Sequence, residues 1–213
     1  MSPQDALGDF LPLSWGRSLA LITVAVVVSL AEGHGRLLDP PSRATLWEEK
    51  FNFPAYYDEY QGFCGGVDAH WGRFGGRCGV CGDPYFPLPR AHERGGHYYT
   101  GTPTRTYRSG SFINVTLRIT ANHRGWIEFR LCAYDDPEVG DLEYDSSGNL
   151  VEVTQECLDK HLMSLEDGRT RFYLPGEFAN GDQTIKVRLS EGLTCKNCLF
   201  PMEMEYGKLG PRR

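Results

Sequence analysis

Two alternating segments in the second half of the chain constrain its fold more than any other feature. From Phe112 on, Ile113, Val115, Leu117 and Ile119 take every second position, separated by Asn114, Thr116 and Arg118 and followed by Thr120. A period of two sends the apolar set to one face of a half-buried strand. Ile127, Phe129 and Leu131 repeat the pattern around Glu128 and Arg130. The polar link Ala121-Asn122-His123-Arg124-Gly125 predicts that these two strands form a hairpin. Further strands are expected over Thr170–Leu174 and where Ile185, Val187 and Leu189 alternate with Lys186 and Arg188. A short helix fits Thr154–Leu165, and no segment keeps a 3.6-residue period for three turns. Short alternating strands separated by turns predict an all-β chain, an antiparallel β-sandwich.

The segment from His34 to Gly110 reads differently. Turn formers crowd it: Asp39-Pro40-Pro41, Pro54, Gly65-Gly66, Gly75-Gly76, Pro84, Pro87, Pro89 and Gly95-Gly96. Long irregular loops are expected there, not helices. The seven cysteines, Cys64, Cys78, Cys81, Cys132, Cys157, Cys195 and Cys198, suit an oxidising compartment and three internal disulfides with one cysteine left over. Two Cys-x-x-Cys pairs could in principle make a zinc site. The gap from Cys81 to Cys195 is far longer than the roughly 15 to 20 residues of a zinc ribbon, and structural disulfides are the better reading.

Leu19–Ala31 is a run of 13 residues, apolar apart from Thr23 and Ser29, with Arg17 before it and Ala31-Glu32-Gly33 after it. About 20 apolar residues are needed to span a bilayer, so the run fits the core of a secretory signal with Ala31 and Gly33 at the small positions a signal peptidase reads. Residues 1–33 are expected to be removed. The mature chain, 34–213, then has 180 residues and a net charge of −4 in place of −6, and it is expected to reach the extracellular medium. One domain suits that length. The acidic balance argues against a nucleic-acid partner. Asp135–Asp145 holds six acids without the spacing of an EF-hand and reads as a solvated loop. Asn114-Val115-Thr116 is a glycosylation acceptor, usable if its strand face meets solvent.

Cleavage after Gly33 would make His34 the first residue. Its amine, with a pKa of about 7.7 to 8.0, and its imidazole Nδ1 then close a chelate on one metal ion. One further imidazole completes a T-shaped set of three nitrogens, which suits copper. His70, His92, His97, His123 and His161 are the other histidines. His123 stands out because it sits in a loop at the end of a strand, on a rigid support.

The opening His34-Gly35-Arg36-Leu37-Leu38-Asp39-Pro40-Pro41-Ser42-Arg43 resembles the start of the lytic polysaccharide monooxygenases of auxiliary-activity family fifteen. The resemblance continues through Phe63-Cys64-Gly65-Gly66, Cys78-Gly79-Val80-Cys81-Gly82-Asp83, Thr120-Ala121-Asn122-His123, Phe129-Arg130-Leu131-Cys132 and Cys195-x-x-Cys198-Leu199, covering about His34 to Leu199. It implies an immunoglobulin-like or fibronectin-III-like sandwich holding one copper ion, cycling between Cu(II) and Cu(I), on His34 and His123. It also implies an oxidoreductase that takes electrons from an external donor, uses O2 or H2O2, and cleaves β-1,4 bonds of chitin or cellulose at C1 or C4. A monomer with no membrane attachment after signal cleavage is expected. Trp47, Tyr56 and Tyr57 would flank the copper face, either stacking on sugar rings or packing in the loop core.

After Cys198 the resemblance stops. The family continues as a strand of the type LQWxYxxGNxWG and then a cysteine-rich segment that brings an axial tyrosine or phenylalanine to the copper. This chain reads Phe200-Pro201-Met202-Glu203-Met204-Glu205-Tyr206-Gly207 instead. Pro201 lacks the donor that a ladder needs at that point, and no residue, Tyr206 included, is carried over to the axial role. The closing segment is therefore expected to be missing, and the leftover cysteine to have lost its partner with it. A non-catalytic glycan-binding or copper-binding module on the same sandwich is the alternative that this departure raises, and a disulfide-rich interaction protein without metal is a third.

Overall fold

A computed structural model describes residues 34–49, 52–122, 124–133, 143–144, 150–151, 153–174 and 180–205. The chain divides into two units, Met1–Leu30 and Ala31–Arg213; the first, like residues 31–33, lies outside the described residues. The strands are β1 (His34–Asp39), β2 (Phe112–Ala121), β3 (Trp126–Phe129), β4 (Glu143–Tyr144), β5 (Leu150–Val151), β6 (Ser164–Leu165), β7 (Phe172–Tyr173), β8 (Gly181–Arg188) and β9 (Met202–Glu205). The one α-helix among the described residues, α1, spans Gln155–Lys160, beside a 3-10 turn at Leu46–Glu48 and a π-helical segment at Asp68–Arg73. A four-stranded antiparallel sheet has the order β1-β2-β8-β6, a three-stranded one the order β7-β3-β9, and β4 pairs with β5. This is the all-β sandwich that the alternation predicts.

The alternation in β2 is realised residue by residue. Ile113, Val115, Leu117 and Ile119 are buried and join Leu37, Ile185, Val187 and Leu165 of the same sheet with Ile127 and Phe129 of the other in one core. Each such side chain contributes about 1.5–3 kcal/mol of burial. Phe200 extends the core by stacking on Phe129, ring centres 5.4 Å apart.

Four expectations are revised. The predicted hairpin does not form: β2 pairs with β1 and β8, while β3 pairs with β7 and β9. Both edges of β2 are taken, so residues 121–125 carry the chain from one sheet to the other, with Arg124 and Gly125 at positive φ. Second, β1 lies within the segment read as irregular and free of helices, and so do the helical segments Leu46–Glu48 and Asp68–Arg73. Third, a strand follows Pro201 at once. The missing donor costs nothing there, because Pro201 precedes β9 and uses its carbonyl to accept from Arg130 N at 3.3 Å. Fourth, the helix is shorter than Thr154–Leu165. Thr154 caps it by accepting from Cys157 N, and Ser164–Leu165 belongs to β6. Tyr206 and most of the acidic run lie outside the described residues.

Three disulfides join Cys64 to Cys78, Cys132 to Cys157, and Cys195 to Cys198. Cys81 belongs to none of these three. With Cys78, Cys195 and Cys198 oxidised, the zinc alternative is excluded. The long loops are held by buried charge as well. His92 donates to Asp83 from its backbone N at 2.8 Å and pairs with it through Nδ1 at 2.9 Å. Arg90 binds Glu93 at 2.6 Å with both side chains buried, and Glu93 accepts from Val80 N.

Candidate functional site

The antiparallel register sets His34, the first residue of β1, opposite Ala121, the last of β2. Thr120 Oγ1 donates to the His34 carbonyl at 3.2 Å and ties the two strand ends together. Close approach of the sheets also fixes this end. A Cβ on Gly35 would stand 2.7 Å from Met204 Cε, so a side chain there would have to displace the Met204 tip where β1 meets β9. Beyond Ala121, Asn122 is buried. Its N donates to Asn180 Oδ1 at 3.0 Å, and its Oδ1 accepts from Arg124 N at 2.8 Å, across the residue between them. That residue, His123, lies outside the described residues.

The His34 ring is half-buried, and its Nδ1 donates to the Tyr60 carbonyl at 3.1 Å. Tyr60 is itself clamped. The Arg36 guanidinium lies over its ring, 4.7 Å from the centroid, and Arg118, the β-ladder partner of Arg36, lies close enough to interact with it electrostatically. Neighbouring arginines repel unless neutralised. Glu48 and Glu59 bind Arg36 at 2.5 and 2.8 Å, and Asp182 binds Arg118 at 2.6 Å. The hydrogen bond from Arg118 holds the Asp182 carboxyl below the usual range. Sequence reasoning missed Arg36, Glu48, Glu59, Tyr60 and Arg118; a cross-strand arginine pair becomes visible only once β1 is recognised.

The three aromatic candidates separate. Tyr57 is 77% exposed. Trp47 meets it edge to face at 5.1 Å. Tyr56 turns inward onto His92 at 4.6 Å and Tyr98 at 4.8 Å, and burial, then the Asp83 charge, raises its pKa. The remaining histidines are engaged locally. His70 Nε2 contacts Gly76 O at 2.7 Å, His97 packs on Tyr98, and His161 Nδ1 lies 3.5 Å from Ser190 Oγ. Among the described residues, no three His, Cys, Asp or Glu side chains cluster to hold a metal.

The family described as lytic polysaccharide mono-oxygenase, cellulose-degrading, matches residues 34–202. The chain belongs to this family. A solved structure titled as an AA15 lytic polysaccharide monooxygenase from Thermobia domestica in the Cu(I) state is 40% identical, with a TM-score of 0.71, covering 82% of this chain and 84% of that one. No curated protein gave a match. Lytic polysaccharide monooxygenases are copper enzymes, so this protein is a copper-dependent oxidoreductase whose substrate is a polysaccharide and whose co-substrates are an electron donor and O2 or H2O2. The imidazole of His34, set by the β1–β2 register at the end of the sheet, is the kind of nitrogen donor that would suit a copper ion.

Proposed function

We propose that this lytic polysaccharide monooxygenase is secreted, loses residues 1–33, and cleaves β-1,4 bonds of chitin or cellulose with one copper ion bound by His34 and His123. The observation that carries the reading is the pairing of His34 with Ala121, two residues before His123 in sequence. The family match begins at His34. Among the described residues, no helix is long and apolar enough to cross a membrane.

The backbone nitrogen of His34 is an amide while Gly33 precedes it. Cleavage turns it into an amine that gives up its proton near neutral pH and can then serve as a ligand. Bound copper supplies one-electron chemistry toward O2 or H2O2 that side chains lack. The protein's own part is to hold the donors. Thr120 fixes the His34 backbone, the Tyr60 carbonyl holds the ring through Nδ1 until copper takes that nitrogen, and Tyr57, with Trp47 behind it, offers an exposed aromatic face on which a sugar ring can stack. The enzyme acts as a monomer, with no nucleic acid or membrane partner.

The experiment is incubation of secreted, copper-loaded protein with chitin and with cellulose plus a reductant. Oxidised oligosaccharides from either glycan are expected. Their absence with both, from protein shown to begin at His34 and to hold one copper, would sink the reading.

A further inference from the structure

Along β2, the outward set Phe112, Asn114, Thr116, Arg118 and Thr120 lies on one face of the four-stranded sheet, and that face is not uniform. Toward His34, Arg36 carries Tyr60, Glu48 and Glu59 beside it, while Thr120 and the Arg118–Asp182 pair stay open to solvent. Toward the other end it is bare. Asn114 is exposed, as is its ladder partner Lys186. Phe112 is 48% exposed, with the Arg188 guanidinium 5.9 Å from its ring centre. Thr116 Oγ1 contacts Thr184 Oγ1 at 3.2 Å. The Asn114 carboxamide has no hydrogen-bond partner among the described residues.

We propose that Asn114 carries an N-linked glycan that lies over this bare half of the sheet, which rests on the reading that the chain is secreted. Asn114-Val115-Thr116 has the acceptor spacing, with no proline at its centre. In the transfer, Asn114 Nδ2 forms a bond to C1 of a polyprenyl-diphosphate-linked oligosaccharide as the C1–O bond to the diphosphate breaks. The diphosphate leaves with the electron pair, and the carboxamide proton passes to the transferase's base. Register decides whether the fold tolerates the product. Shifted by one residue to Ile113 or Val115, a glycan would enter the core; at Asn114 it points to solvent and displaces nothing. Position decides what it covers. Seven residues of β2 separate Asn114 from Ala121, about 23 Å at a strand's rise. The glycan therefore leaves the His34 end open, shields Phe112, and denies the bare half of the sheet to flat contact with a crystalline glycan. The polysaccharide surface is thus met at the His34 end.

The test expresses the full chain in a eukaryotic secretory host and maps both Asn114 and the N-terminus in one peptide digest. The expected result is a glycan on Asn114 in wild type and Thr116→Ser, released by peptide N-glycosidase with conversion of Asn114 to Asp, and lost in Asn114→Gln, whose copper affinity is unchanged. Secreted chain beginning at His34 with unmodified Asn114 would overturn the proposal while leaving the copper reading intact. A glycosylated chain beginning elsewhere would support the proposal and overturn His34 as a ligand. Chain retained in cells with Asn114 bare would overturn both.

Discussion

The Tyr60 carbonyl oxygen stands 3.1 Å from His34 Nδ1, and a carbonyl can only accept. Nδ1 therefore carries a proton in this arrangement. A chelate through the amine and Nδ1 requires that proton to leave and the contact to break. Copper loading is thus expected to release the segment around Tyr60. Hydrogen–deuterium exchange with and without copper should show faster exchange over residues 58–62 in protein beginning at His34. No change is expected in His34→Ala. Identical exchange in the loaded and unloaded wild type would mean that the ring binds copper without leaving Tyr60.

The amine matters as much as the ring. A variant processed so that Gly33 remains attached keeps every side chain but presents an amide at residue 34. Its copper affinity should fall by about 100-fold or more, since replacing a ligand costs at least as much as the upper end of what outer partners cost. Copper titration against protein beginning at His34 measures the difference. Equal affinities would rule out the N-terminal chelate.

His123→Ala should remove one nitrogen from the copper electron paramagnetic resonance spectrum and weaken binding, also by about 100-fold. His161→Ala is the control, since that ring lies against Ser190; its spectrum should match wild type. An unaltered spectrum in His123→Ala would assign the third nitrogen elsewhere.

Tyr56 and Tyr57 are adjacent in sequence and opposite in environment, so their substitutions should read out differently. Tyr57→Ala removes an exposed ring and should weaken binding to insoluble glycan by roughly tenfold, or about 1.4 kcal/mol, with Tm unchanged. Tyr56→Ala empties a contact with His92 and Tyr98 and should lower stability by about 2 kcal/mol. A pull-down on chitin and cellulose, set beside thermal unfolding, separates the two. A fall in Tm for Tyr57→Ala with unchanged binding would make both residues structural.

The inner and outer faces of β2 are legible in the sequence because the period of two is unbroken over eight residues. β1 is not, because its inward position next to His34 is Gly35, which packs by Met204 and Ile119 without an apolar side chain of its own and so gives no apolar signal. The link at 121–125 has the same polar composition whether it turns back into one sheet or crosses to the other. What decides is that β1 and β8 occupy both edges of β2, a long-range fact. Glu128 reads as solvent-facing by alternation, yet it is buried, because Arg171 reaches it at 2.8 Å and Arg130 at 3.3 Å. The identity of His34 and His123 as candidate ligands came from motif and processing signals. The arginine clamp on Tyr60 had no local signature at all.

The loops under Tyr56 depend on one buried pair. His92 is 1% exposed, and both oxygens of Asp83 are used on it, one by the backbone N and one by Nδ1. Arg43 holds the same residue from the other side by donating to the His92 carbonyl at 2.8 Å. Asp83→Asn keeps the size but offers a single accepting oxygen and turns a donor toward a donor. Losing a charge-assisted hydrogen bond and leaving a buried N–H unsatisfied should cost about 3 kcal/mol. Thermal unfolding should show that loss. Because the pair holds His92, and the His92 ring supports Tyr56, the damage should stay on the loops around Tyr56. Copper affinity, measured well below the lowered Tm, should stay at the wild-type value. A variant of unchanged Tm would mean that the Cys64–Cys78 bridge alone holds this region, and a loss of copper affinity in the folded variant would tie the Asp83–His92 pair to the metal end of the sheet.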